Sequence, residues 1–370
     1  MTLLPGITDN SSVVSPREGI ITAAAHNAPK ITDRVGPERA STAGTRVASF
    51  DFVKGALVLI MVLYHWLNYF IGLGWGGYRY LRFLTPSFIF ITGFLISYVY
   101  LSKYSYDAPQ LRRRLWLRGL KLLALFLFLN VVANRTLGMR LRLDFGDPGA
   151  LRDAAYAVFV EGTTRAAFDI LVSIAYLLLL APLVLFVSGR LKIPLWVLAA
   201  AAVIAMLLGE YHGFTNPHCE MLSIALVGLA TGTLGGDRVA ALGRSPIVIA
   251  GAYLIYVAAI SVWNVPFWLQ VPGVCLSVLV LYAIAEAVGS TGLLQKYFVR
   301  LGQYSLLAYI AQILILQILR RGLREYVLSG ADVATPLAIG IVATVVTVET
   351  TIWLRQRSAL FDRSYRIVFA

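Results

Sequence analysis

Residues 49–72 read SFDFVKGALVLIMVLYHWLNYFIG. After Asp51 and Lys54 the run stays apolar for most of a bilayer's depth, and His65 and Asn68 interrupt it only near its far end. About 20 mostly apolar residues, wound as a helix, cross the hydrocarbon core. A helix satisfies its own backbone there, where no water can. Working outward, nine more such runs follow. The ten candidate spans are 52–72, 83–102, 115–134, 167–187, 193–209, 219–235, 247–263, 269–287, 301–319 and 336–354. The expected fold is all-α and polytopic. The run at 193–209 is short, and the run at 219–235 is short and Gly-rich, so a re-entrant or tilted segment is the alternative there.

Composition agrees. Of 370 residues, 58% are hydrophobic and 14% charged, which excludes an ordinary soluble enzyme, a disordered chain and a DNA-binding domain. The net charge of +13 is not a nucleic-acid signal, because the basic residues punctuate apolar runs. They read as topology signals facing anionic lipid. Two cysteines, Cys219 and Cys275, make no disulfide framework.

Three regions are expected: a Ser/Thr/Pro/Ala-rich disordered cytoplasmic tail at 1–45, a membrane domain at 46–354 and a basic cytoplasmic tail at 355–370. With the N-terminus inside, inner segments hold 18 Lys and Arg against 10 outside. The positive-inside rule then puts both termini in the cytoplasm. One outer loop, 135–166, is long enough to carry structure of its own, and 150–160 reads as an amphipathic interfacial helix or a solvated cover.

At about 100° per residue, Asp51, Lys54, Val58, Met61, His65 and Asn68 fall within roughly 100° of one helix face. An ionisable group at membrane depth is expensive, which makes His65 a functional candidate against the plainer reading of a neutral, satisfied histidine. Asp51 and His65 are separated by about 21 Å along the axis, so Asp51 cannot orient His65. Gly302, Ser305, Tyr309 and Gln312 form a second polar stripe, for which packing is the plainer reading.

Three patterns occur in order. Arg46, Asp51, Lys54, Gly55 and His65 form an Arg-…-Asp-x-x-[Arg/Lys]-Gly-…-His first span. Phe88, Phe90, Thr92, Gly93, Phe94, Leu95 and Ile96 form a Phe-x-Phe-x-[Ser/Thr]-Gly-Phe-Leu-Ile second span. Leu301 to Tyr309 reads Leu-Gly-x-x-Ser-Leu-x-x-Tyr. Here the chain resembles the transmembrane acyltransferase superfamily, which includes acyltransferase-3 type, glucan succinyltransferase-like and heparan-alpha-glucosaminide N-acetyltransferase-like enzymes. The motifs cover about 46–97 and 301–312. The chain departs from the pattern at Lys54, where arginine is usual, at Gln312, where many relatives have histidine, and at Thr92, where serine is commoner.

The resemblance implies a cell inner (cytoplasmic) membrane enzyme that moves an acyl group from cytoplasmic acyl-CoA, acetyl-CoA foremost, to a hydroxyl or amine of a glycan or related acceptor. The donor's phosphates would meet Arg46, Lys54 and the Arg112, Arg113 and Arg114 cluster, beside Asp51. The acyl chain would run along the first span to His65, the general base or transient acyl acceptor. Asn68 and Tyr309, then Thr92, Ser305 and Gln312, are the candidate substrate or oxyanion groups. A transporter or flippase with His65 as proton relay is the competing reading, and a non-catalytic relative is a third. No metal is expected. Residues 210–220 hold His212, His218, Cys219 and two glutamates, but their spacing matches no strong zinc pattern. Asp169 and Glu286 read as span-end groups that snorkel or cap. Glu349 reads as half of an ion pair, and Asn130 as a packing group.

Overall fold

A computed structural model describes residues 48–369 apart from 73, 138–146, 163–165, 236–237, 239–240, 242–244, 290–291 and 324–333. The expected tail at 1–45 and Arg46 lie outside the described residues. The fold is all-α. In chain order its helices are α1 (Ala48–Trp66), α2 (Leu84–Leu95), α3 (Pro109–Leu137), α4 (Pro148–Tyr156), α5 (Ile170–Leu191), α6 (Leu195–Tyr211), α7 (Pro217–Thr231), α8 (Pro246–Trp263), α9 (Phe267–Val288), α10 (Leu293–Gln303), α11 (Ser305–Gly322), α12 (Ala334–Arg357) and α13 (Ala359–Phe369).

Among the described residues, eight helices are long and apolar enough to cross a membrane, rather than ten. The candidates at 193–209 and 219–235 are the ones that fall away. They form α6 and α7, of 17 and 15 residues, or about 26 and 23 Å at 1.5 Å per residue, short of a ~30 Å core. The second apolar run overstates its helix because Gly232 opens a 3-10 turn and Gly235 takes φ +81°.

Glycines decide the close helix crossings. A Cβ on Gly55 would collide with the Phe298 carbonyl, and one on Gly302 with the Asp51 carbonyl. These reciprocal contacts lock α10 against the first turns of α1. On the other flank, Gly93 of α2 meets the Ala225 carbonyl, while Gly228 of α7 and Gly232, just past its end, meet the Phe90 and Phe94 carbonyls. The Gly228-x-x-x-Gly232 spacing is the small-residue pattern that lets helices approach backbone to backbone. The core lies between α1, α2, α5, α7 and α9, with Leu57, Ile89, Leu171 and Ala225 fully buried. The basic segment 355–370 is not a plain tail. It contains α13, whose Asp362 binds Arg355 at 2.7 Å.

Candidate functional site

Two cavities lie end to end. The narrow one, about 170 Å³, is lined by Lys54 of α1, Thr92 of α2, Leu122 of α3, and Ser305 and Tyr309 of α11. The wide one, about 680 Å³, is lined by Tyr64, Arg79, Asp169, Glu220 and Gln270 among others. Ile170 lines both, so it belongs to the wall between them.

The helix register explains this placement. Lys54 and Ser305 share the narrow cavity, and Arg320 lies over the Tyr69 ring at 5.9 Å. Both pairs are fifteen residues apart along their chains. Thus α1 and α11 run parallel and in step, and Tyr309 falls level with Val58, near the middle. Three motifs far apart in sequence each supply this cavity: Lys54, Thr92, and Ser305 with Tyr309. Lys54 pairs with Asp51 at 2.6 Å, so its charge is already half-answered within one helix turn. The Thr92 hydroxyl donates to the Phe88 carbonyl at 2.8 Å, which leaves only its lone pairs for a ligand. Tyr309 is buried but makes no hydrogen bond among the described residues. Its hydroxyl proton is unspent, as are the side-chain amide protons of Gln312.

The wall is held by Asn130, which is 4% exposed. Its side chain donates to the Ala167 carbonyl at 2.8 Å and accepts from the Ala167 N–H at 3.1 Å. The next residue, Phe168, is buried with φ +61°, a conformation that is strained for a bulky side chain. Its ring stands edge-on to Tyr309 at 6.2 Å. Asp169 then caps α5, accepting from the Ile170 N–H at 2.8 Å, and also faces the wide cavity. Burial pushes its carboxyl up from the ordinary value, against the pull of that N–H and of His218.

The wide cavity is closed on one side by Val158, in the π turn Ala157–Glu161 that follows α4, and by Gly162. Three successive carbonyls of that turn accept side-chain hydrogen bonds. His218 serves Val158 at 2.8 Å, Tyr176 serves Phe159 at 2.7 Å and Asn216 serves Val160 at 2.8 Å. The other ring nitrogen of His218 lies 3.2 Å from the Ser173 hydroxyl. With one nitrogen donating to a carbonyl and the other accepting from a hydroxyl, His218 is a satisfied structural group. No group of three metal-ligating side chains occurs among the described residues.

His65 lines neither cavity. Its ring stacks on Tyr69 at 5.5 Å and meets the edge of Tyr64 at 5.2 Å. Both its ring nitrogens are sealed from solvent and make no hydrogen bond. Neither cavity reaches His65, and Tyr64, whose ring meets the His65 ring edge-on, lines the wide one. Gln312 is fully buried with both polar atoms unpartnered, and by the register it lies about 6 Å from His65 along the axis. Asn68 is exposed and accepts from the Tyr78 hydroxyl at 3.3 Å, outside both cavities. Arg112, Arg113 and Arg114 are exposed on the first turns of α3. Arg112 stacks over Trp116 and Arg114 over Tyr104, away from the narrow cavity.

Asp169, read from the sequence as a span-end group that snorkels or caps, caps α5 and also lines the wide cavity. Its only signal was a carboxylate abutting an apolar run. Glu349 pairs with Arg300 at 2.8 Å, and Glu286 accepts from Ser49 at 2.5 Å, as end-of-span groups. Comparison with protein-family models, with curated proteins and with solved structures finds no match to this chain.

Proposed function

We propose that this protein is a membrane acyltransferase that moves an acyl group from acyl-CoA, acetyl-CoA foremost, to a hydroxyl or amine of a glycan-type acceptor. The observation that carries the reading is the pair of cavities meeting at one wall, with three separate motifs converging on the narrow one. The narrow, mostly apolar cavity suits an acyl chain and its thin carrier arm, and the wide polar one suits an acceptor. The Lys54 end faces the cytoplasm in this reading, because Arg112, Arg113, Arg114, Lys296, Arg355 and Arg363 gather there.

The chemistry follows from the wall. Asp169 takes the acceptor's proton as the acceptor oxygen attacks the thioester carbonyl. Tyr309 donates a hydrogen bond to the oxygen that becomes negative. The carbon–sulfur bond then breaks, and the thiolate leaves with the proton that Asp169 returns. His65 supports a second reading. Two unpartnered nitrogens at membrane depth are costly for a merely structural group. As base or transient acyl acceptor, His65 would need the Tyr64 ring to turn aside.

The test is acyl transfer by purified protein in lipid nanodiscs, with acetyl-labelled acetyl-CoA and a pool of oligosaccharides. Label in the oligosaccharides is expected. Loss of transfer in Asp169→Asn with retention in His65→Ala supports the first assignment, and the reverse supports the second. Solute uptake into proteoliposomes without any acyl donor, and no label transfer, would support a transporter instead.

A further inference from the structure

Two helices at the Lys54 end have faces that the protein does not cover. In α13, Phe361, Tyr365 and Phe369 turn toward the bundle, where Tyr365 packs near Tyr304 at 5.6 Å. The opposite side carries Leu360 at 79% exposure and Ile367 at 63%, with the exposed Arg363 between them. In α10, Gly302 and Leu301 are buried, while Leu293 at 74% and Tyr297 at 46% stand out beside Lys296 and Arg300. A helix already docked on one side gains nothing from a second apolar ridge in water. Such a ridge flanked by cations fits the boundary between acyl chains and headgroups.

Position narrows the occupant to lipid. The first helix, α13, begins two residues after the last span ends at Arg357, so it emerges at membrane level. It is held there by Arg355, which binds Asp362 at 2.7 Å and the Tyr304 hydroxyl at 2.8 Å. The second, α10, is fixed at the same level, since Gly302 abuts Asp51 and Gly55 abuts Phe298. Charge narrows it further. Lys296 and Arg363 have no acidic partner among the described residues, so each presents a whole positive charge beside an apolar ridge. We infer that α10 and α13 together form an interfacial collar that binds anionic phospholipid headgroups around the Lys54 end of the bundle. Because α10 shares backbone contacts with the turn bearing Asp51 and Lys54, lipid that orders α10 also steadies that ion pair.

The test needs no assumption about the reaction. The protein is placed in nanodiscs of phosphatidylcholine alone or of phosphatidylcholine with phosphatidylglycerol. Hydrogen exchange is followed in α10 and α13, and lipid retention is read by native mass spectrometry. Protection of both helices and preferential retention of phosphatidylglycerol are expected. Lys296→Gln and Arg363→Gln should each lower that preference about fivefold, the equivalent of about 1 kcal/mol per surface charge. Thermal unfolding of each variant checks that the bundle is intact. Equal exchange and equal retention in the two membranes overturn the inference, and so does a phosphatidylglycerol preference that folded Lys296→Gln and Arg363→Gln variants leave unchanged.

Discussion

The two ends of the bundle are built on opposite principles. At the Lys54 end, backbones touch at Gly55 and Gly302, the cavity between helices is narrow and its one charge is paired. At the Tyr64 end, helices splay, a π turn closes one side and arginines and carboxylates face a volume four times larger. Close packing leaves room for a thin chain, and splayed packing leaves room for a bulky polar molecule. On the proposed reading, that difference suits a donor at one end and an acceptor at the other, meeting at the Ile170 wall.

Substitutions should break this contrast in a definite order. Gly302→Ala should have the largest effect, about 3 kcal/mol or more, because the colliding atom is a backbone carbonyl that cannot step aside. Thermal unfolding in nanodiscs would show it, and an unshifted transition would deny the close approach. Asn130→Ala should cost about 1–3 kcal/mol through two lost hydrogen bonds to Ala167. Hydrogen exchange should rise around Phe168 and Asp169 while the Lys54 end stays protected. Uniform exchange across both ends would mean that Asn130 is not a local clamp.

Much of the fold was legible because apolar runs in hydrocarbon permit only one regular structure. The runs at 193–209 and 219–235 were overcounted because hydropathy measures polarity and not where a helix begins and ends, which for the second run is decided by Gly232 and Gly235. The site was legible in part. Lys54, Thr92, Ser305 and Tyr309 line one cavity, Lys54, Ser305 and Tyr309 from the two polar stripes and Thr92 from the second-span motif. Asp169 and the sealing of His65 by Tyr64 were not legible, because both depend on how Asn130 and Tyr309 bring separate helices together. A helical wheel contains one helix only.

Smaller effects refine the picture. Lys54→Ala should raise the acetyl-CoA concentration needed for half-maximal transfer more than it lowers the saturated rate, since the ammonium touches the donor's cavity and not the wall. A fall in saturated rate alone would move Lys54 to the reacting centre. The slightest effect should come from acid. Hydrogen bonds from Arg355 and then Arg366 hold the Asp362 carboxyl below its ordinary value. Its contribution to anchoring α13 is therefore complete above the unfolded carboxylate range and fades as pH falls through the lowered folded value. Acidification should speed exchange in α13 before any change at the Tyr64 end, and loosening at both ends together would contradict this.

The meeting of donor and acceptor at a single wall is tested most directly by Ile170→Trp, whose larger ring would fill the space between the cavities. Acetyl-CoA binding should persist in the nanodisc-embedded variant, while transfer of labelled acetyl to oligosaccharide should disappear. Transfer at the wild-type rate through a blocked wall would contradict the account.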